Sequence, residues 1–336
     1  MPPAIPCGVA VRASPIPTMR NIFFMLIPLL ALAPSALAGK RLDAELQPAQ
    51  RALAERDYGK AYALYARHGA KNPLAQFTLG LFHREGWGRK ADPIAACGWF
   101  EKAAHKDIPA AQQFFGDCLA NGIGRTADGK AAEGWYRKAA SNGIAYALCS
   151  AGSLHIEGKA VDKDVRRGPD LCTQAAQSDS QPAMLRLADY YREGTDVPQD
   201  LSAARHWYKM AAERRSREAQ YRLGVMLSEG HGGEPDLATA LFWLETAAAE
   251  GHAPAYLPTA ILYANAAPDA KTGTLAPEHL AKIYLWISAA KARTADPAEL
   301  AETARIEAMV LAVIPAAWRP ELDRKVAEHL AKYDRR

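Results

Sequence analysis

Between residues 75 and 108, apolar side chains fall first at Ala75, Leu79, Gly80 and Phe82, and then at Ile94, Ala96, Trp99, Phe100, Ala103 and Ala104. Each set follows the spacing of one helical face. Gly86 and Gly88 interrupt the first set, and Asp92 followed by Pro93 opens the second. Gly86 sits where a left-handed residue would satisfy the last carbonyls of a helix. Asp92 is placed to cap the next helix, and Pro93 at its first position needs no donor there. The pattern predicts a helix, a Gly-rich turn and a second helix.

This hairpin recurs. A step of 36 residues from Ala75 lands on Ala111, Ala147, Ala183, Ala219 and Ala255. The same step links Gly86, Gly122, Gly158, Gly194 and Gly230, and links Asp92, Asp128, Asp164, Asp200 and Asp236. Three residue types in one register define a tandem repeat, whose units stack because none can bury its apolar face alone. Gly80, Gly116, Gly152 and Gly224 lie inside predicted helices, with Ala188 at the fourth place. A glycine there costs about 1 kcal/mol against alanine, so a neighbouring helix must pass too close for a Cβ. Trp99, Trp135, Trp207 and Trp243 also align, and Trp286 resumes the row seven residues late, which places a longer loop within residues 263–278. A tryptophan row in register with the repeat reads as inter-helix packing.

The segments 75–88 (AQFTLGLFHREGWG) and 219–232 (AQYRLGVMLSEGHG), with the Trp-aromatic-x-x-Ala-Ala blocks at Trp99–Ala104 and Trp135–Ala140, resemble Sel1-like repeats, relatives of tetratricopeptide repeats with a longer turn. The resemblance covers about residues 74–291. It implies an all-α, right-handed superhelical solenoid of αα-hairpins with helical caps. It also implies the role of such proteins as adaptors, signalling regulators or envelope-assembly factors, often exported in bacteria. The expected organisation is a leader at 1–38, degenerate N-terminal capping helices at 39–73, six repeats at 74–295 and C-terminal capping helices at 296–336. Tyr58, Tyr62, Leu64 and Tyr65 give the first cap its helical period, and residues 297–313 and 320–333 read as the closing helices.

Length alone would suggest two domains, but a solenoid grows by addition. The net charge of +4 is too small for a nucleic-acid scaffold. Met19 and Arg20, the apolar run from Ile22 to Ala33 and the small-x-small site Ala36-Leu37-Ala38 read as a secretory signal cleaved after Ala38. The run is short and broken by Pro28 and Pro34, so the mature chain is expected to have no membrane span and to be periplasmic or secreted. Cleavage would remove Arg12, Arg20 and no acid, leaving a net charge of +2.

Cys7 would leave with the leader, which leaves Cys97, Cys118, Cys149 and Cys172. Cys97 and Cys118 stand symmetrically about a turn centred near residue 107 or 108, and Cys149 and Cys172 about one near 160 or 161. Residues at one height of an antiparallel hairpin are symmetric in this way. Disulfides Cys97–Cys118 and Cys149–Cys172 follow for an oxidising compartment. In the third unit Leu171-Cys172 replaces the Trp-aromatic pair, so a crosslink there would offset lost packing. The cysteine-rich branch of the resembling family places its cysteines elsewhere, near Ala104 and Gln112. No Cys-x-x-Cys or paired-His spacing marks a metal site, and no cofactor is expected.

Some cysteine-rich relatives carry a β-lactamase label, and Ser288-Ala-Ala-Lys291 and Lys271-Thr272-Gly273 match penicillin-recognising motifs. Their order is reversed, Ser178-Asp179-Ser180 stands for Ser-Asp-Asn, and no strand is predicted to hold the lysine beside the serine. A cell-wall or β-lactam-type hydrolase is the alternative to a non-enzymatic chain. His83 and His155 share a repeat position with Leu119 between them, which reads as packing.

In helical-hairpin solenoids the first helices line the concave side. The stripe on them away from the packing face carries Asp117 and Asn121, Ser153 and Glu157, Arg186, Asp189 and Glu193, then Arg222 and Glu229. These residues vary on a fixed frame and are the partner-binding candidates. The expected partner is a protein or peptide of the cell envelope, with an envelope polymer as a second occupant.

Overall fold

The structure is a computed structural model that describes residues 36–267 and 273–334, with side chains placed for 44–267 and 273–333. Most of the predicted leader with Cys7, and Lys271 with Thr272, lie outside the described residues. The chain divides into two compact bodies between Ser178 and Asp179. The described residues form helices and connecting turns, with no strand among them.

The first body contains α1 (Ala36–Ala54), α2 (Tyr58–His68), α3 (Pro73–Glu85), α4 (Pro93–Ala104), α5 (Pro109–Ala120), α6 (Gly129–Ser141), α7 (Ala147–Glu157) and α8 (Arg167–Gln177). The second contains α9 (Gln181–Glu193), α10 (Leu201–Glu213), α11 (Arg217–Glu229), α12 (Leu237–Ala249), α13 (Tyr256–Ala264), α14 (Pro277–Arg293), α15 (Pro297–Leu311) and α16 (Arg319–Asp334). Within each body consecutive helices pack as antiparallel pairs, and each pair packs on the next. The alanine row sits at the centre of this stack. Ala75, Ala111 and Ala147 in the first body, and Ala183, Ala219 and Ala255 in the second, are fully buried.

One aspartate per hairpin builds the turn. The side chains of Asp92, Asp128, Asp200 and Asp236 accept from Ala95, Ala131, Ala203 and Thr239 N–H groups at 2.9–3.0 Å, which caps the second helices. Asp164 accepts from Arg166 and Arg167 instead. The backbone N–H of each of the five donates to the carbonyl nine residues earlier, at His83, Leu119, His155, Tyr191 and Leu227. A single residue type thus closes the turn at both ends. Gly86, Gly158, Gly194 and Gly230 end the first helices at φ between 65° and 73°, a region where side chains with a Cβ are strained.

The helix-interior glycines face the position after the tryptophan. A Cβ on Gly80 would lie 2.5 Å from the Phe100 ring, one on Gly116 2.7 Å from Tyr136, and one on Gly224 2.5 Å from Leu244. Large side chains therefore lie across the first helix where it has no side chain of its own. The third hairpin solves the same problem differently. Cys172 is too small to fill the gap, and α7 and α8 close to backbone contact, with a Gly152 Cβ only 2.4 Å from the Gly168 carbonyl oxygen. The Cys149–Cys172 disulfide ties these two helices, and Cys97–Cys118 ties α4 to α5, the pairing that turn symmetry predicts.

The tryptophans pack as their register implies. Trp135 meets Phe115 and His105 with ring centroids 5.3 and 5.0 Å away, and Trp286 stacks on Tyr256 while buried. Buried Gln76, Gln112 and Gln220 each donate to a carbonyl at or just past the end of the preceding second helix, at Gly69, Ala104 and Ala212. These bonds join successive hairpins at helix-end carbonyls, of which Ala104 and Ala212 also accept from the Asp107 and Arg215 N–H groups.

Candidate functional site

The first helices of the N-terminal body present an aromatic and charged face. Phe77 and Phe114, on α3 and α5, stack at 5.8 Å with nearly parallel rings. The Arg84 guanidinium lies 4.1 Å from the Phe114 centroid and pairs with Glu85 at 2.6 Å. Asp117, one turn beyond Phe114, accepts a 2.7 Å hydrogen bond from the Tyr136 hydroxyl on α6. Burial pushes the Asp117 carboxyl up to about 6, against the Tyr136 bond and the charges of Arg84 and Lys159. The same burial, reinforced by the Asp117 charge, raises the Tyr136 phenol, so the proton stays on the tyrosine. Asp117, Phe114, Phe100 and Arg84 line an open cleft of about 350 Å³.

The other candidates on this body are arranged more simply. Asn121 ends α5, donates to the Asp117 carbonyl at 2.7 Å and accepts from Lys159 at 2.6 Å. The Ser153 hydroxyl bonds back to the Cys149 carbonyl of its own helix. Glu157 is exposed at the end of α7.

In the C-terminal body, Asp189 and Arg222 come together. Asp189 accepts from the Tyr208 hydroxyl at 2.5 Å and from Arg222 Nη1 at 2.8 Å. Arg222 also pairs with Glu218, and Arg192 Nε donates to Tyr208 at 3.0 Å. Burial raises the Asp189 carboxyl, while Arg222, Tyr208 and Arg192 counter it. Glu193 accepts from Arg192, Arg186 lies 4.8 Å from the Tyr190 ring centroid, and Glu229 pairs with His231 at 3.2 Å. Asp117 and Asp189 thus stand at the seam between first and second helices, held by a tyrosine, while Glu157 and Glu193 are exposed. The tyrosines were not among the sequence candidates. Their signal is the shared separation of 19 residues between Asp117 and Tyr136 and between Asp189 and Tyr208.

The remaining motifs resolve into structure. His83 contacts Tyr62 and Arg89 at 3.3 Å, and buried His155 meets Glu133 at 3.0 Å. Ser288 and Lys291 lie on α14, where the lysine ammonium pairs with Glu307 at 2.7 Å. Among the described residues no three His, Cys, Asp or Glu side chains converge on a metal-sized point. No helix among them is long and apolar enough to cross a membrane.

Residues 73–107, 109–144, 181–216 and 217–252 each match the Sel1 repeat family model. This is a Sel1-repeat protein. The matches skip the third hairpin, where Cys172, Gly152 and Gly168 replace the aromatic packing of the other units. A Sel1 repeat protein from Oxalobacter formigenes is similar at 26% identity and a TM-score of 0.53, over 74% of this chain and 100% of that one. The c5321 protective antigen of uropathogenic Escherichia coli strains, which displays an SLR fold, is similar at 27% identity and a TM-score of 0.50. That likeness covers 87% of this chain and 62% of the antigen's. No curated protein matches the chain in sequence. Sel1-repeat proteins generally mediate protein–protein interaction.

Proposed function

We propose that this Sel1-repeat protein is a non-enzymatic scaffold of the cell envelope, periplasmic or secreted, that binds a protein or peptide partner on the exposed side of its first helices. The observation that carries the reading is the contrast between frame and face. The capping aspartates, buried alanines and glycine–aromatic contacts repeat, while the place of Phe114 holds Thr78, Ser150, Arg186 and Arg222 in other units, that of Asp117 holds Leu81, Ser153, Asp189 and Val225, and Asn121 stands where the other units have glutamate. The aromatic wall and open cleft beside Asp117 supply the kind of concave, partly apolar surface that anchors a partner. Two disulfides suit an oxidising compartment and support export.

The test uses the tagged full chain as bait in an envelope extract, read by quantitative mass spectrometry. One partner is expected in near-stoichiometric yield and should be lost when Phe114→Ala and Glu157→Lys alter the N-terminal face. Mass spectrometry of the exported protein should find Gly39 as its first residue. A chain retained in the cytoplasm, or an unchanged yield with both substitutions, would overturn the reading.

A further inference from the structure

The two tyrosine–aspartate pairs lie 72 residues apart and occupy the same place in their hairpins, yet only one is complete. Around Asp189 the second body supplies Arg222, which gives Nη1 to the carboxylate at 2.8 Å and lies 3.5 Å from the Tyr208 oxygen. Glu218 holds that guanidinium from behind, and Arg192 adds a further donor to Tyr208. The positions equivalent to Arg222, Glu218 and Arg192 in the first body are Ser150, Tyr146 and Ala120. Asp117 therefore has its tyrosine and lacks its arginine.

The cations near Asp117 are engaged elsewhere. Arg84 pairs with Glu85 and lies over Phe114, and Lys159 donates to Asn121. The carboxylate also lines the cleft beside Phe114 and Phe100, on the α3–α4 side of α5, whereas Tyr136 and Ser150 are not part of that lining; Tyr146 and Glu157 lie in electrostatic reach of Tyr136. We propose that Asp117 and Tyr136 form the receptor for the guanidinium of an arginine on the protein partner, seated where Arg222 sits in the other body. This rests on the scaffold reading and names the chemistry of its partner.

Two features favour a guanidinium over an ammonium, and a third favours a cation of either kind. Arg222 reaches the carboxylate and the phenol oxygen through Nη1 and keeps Nε for Glu218, two directed donors on separate atoms where a lysine presents a point charge. Aromatic faces border the cleft and suit a flat cation. The raised carboxyl of Asp117 marks a charge that burial disfavours and an arriving cation would restore.

The probe is acetyl-Gly-Arg-Gly-amide, titrated into the full chain carrying ¹³C-labelled tyrosine, with citrulline and lysine peptides as controls. The arginine peptide should shift the Tyr136 ring signals saturably and bind about tenfold or more tighter than the citrulline peptide. Asp117→Asn should abolish that preference. Ser150→Arg should do the same by filling the site from within, and it leaves the carboxylate and the fold in place. Arg222→Ser should open a second site, reported by the Tyr208 signals. Equal binding of arginine and citrulline peptides, or an unchanged preference in Ser150→Arg, would overturn the proposal. A captured envelope partner that still binds Ser150→Arg overturns this inference and leaves the scaffold reading standing. A chain that captures nothing overturns the scaffold reading, while the peptide titration still decides the site.

Discussion

Gly152→Ala tests the packing argument at its tightest point. A Cβ there would lie 2.4 Å from the Gly168 carbonyl oxygen and 3.2 Å from its carbonyl carbon, atoms of another helix's backbone. Ordinary contact begins at about 3.4 Å, so α7 and α8 would have to part by about 1 Å. They cannot part freely, because the Cys149–Cys172 disulfide joins them one turn away. Alanine gains about 1 kcal/mol of helix propensity over glycine, and overpacking of this kind costs about 1–3 kcal/mol or more. With backbone as the obstacle the upper end applies, for a net loss of about 2 kcal/mol. Gly134→Ala is the matched control, since a Cβ there meets nothing within 4 Å. It should gain about 0.5–1 kcal/mol. Urea unfolding of the oxidised protein, followed by circular dichroism, measures both. If Gly152→Ala proves as stable as the parent, the glycine is not there for close approach and the argument fails.

Asp117 makes a pH prediction. Its folded carboxyl lies at about 6, above the ordinary aspartate value, so the folded chain holds the proton more tightly than the unfolded one. This group's stabilising contribution is present below about pH 4 and disappears as pH rises to about 6. Asp117→Asn, still accepting from Tyr136, should stabilise by about 1–3 kcal/mol at pH 7.5, with the gap closing at pH 4 in the same urea assay. Glu133 acts in the opposite sense. Burial raises its carboxyl, but Arg137, His155 and Arg167 outweigh that and hold it down to about 2, so its contribution is present at neutral pH and lost in acid. Glu133→Gln should cost about 1–3 kcal/mol at pH 7, and a loss that persists unchanged at pH 2.5 would refute the assignment. Arg215 is exposed and adopts φ 64° in the link between hairpins. Arg215→Gly should relieve that strain for a gain of up to about 1 kcal/mol, seen as a higher unfolding midpoint.

Much of the fold is legible because the repeat writes each structural need in one residue type. One aspartate per hairpin holds the start of the second helix with its side chain and closes the turn with its backbone N–H, so Asp92, Asp128, Asp164, Asp200 and Asp236 hold register. Glycine alone fits beneath Phe100 and Tyr136. Where several residue types can serve, the signal fades. The link between hairpins needs a positive φ at Asp107, Gly143, Asp179, Arg215 and Gly251, a 36-residue row hidden by its mixed composition. The inter-hairpin glutamines are masked in the same way, because Leu148 and Met184 fill the third and fourth places. The seam position of Asp117 and Asp189 was illegible for another reason. Helical period puts both on the outer stripe, and only the length of a tyrosine reaching across from the second helix brings them in. The Arg222–Asp189 contact needs the approach of successive first helices, which periodicity within one helix does not encode.

The Cys149–Cys172 crosslink encloses the turn at residues 158–166, an exposed stretch carrying Lys159, Lys163 and Arg166. Such a loop is an open target for trypsin-like proteases. A cut there leaves both fragments covalently joined by the sulfur bridge, with α7 and α8 still paired. The oxidised chain can thus be nicked at this turn and migrate as one molecule until a reductant separates the pieces. Durability against digestion, and not only folding free energy, is what the cysteines of the third hairpin confer.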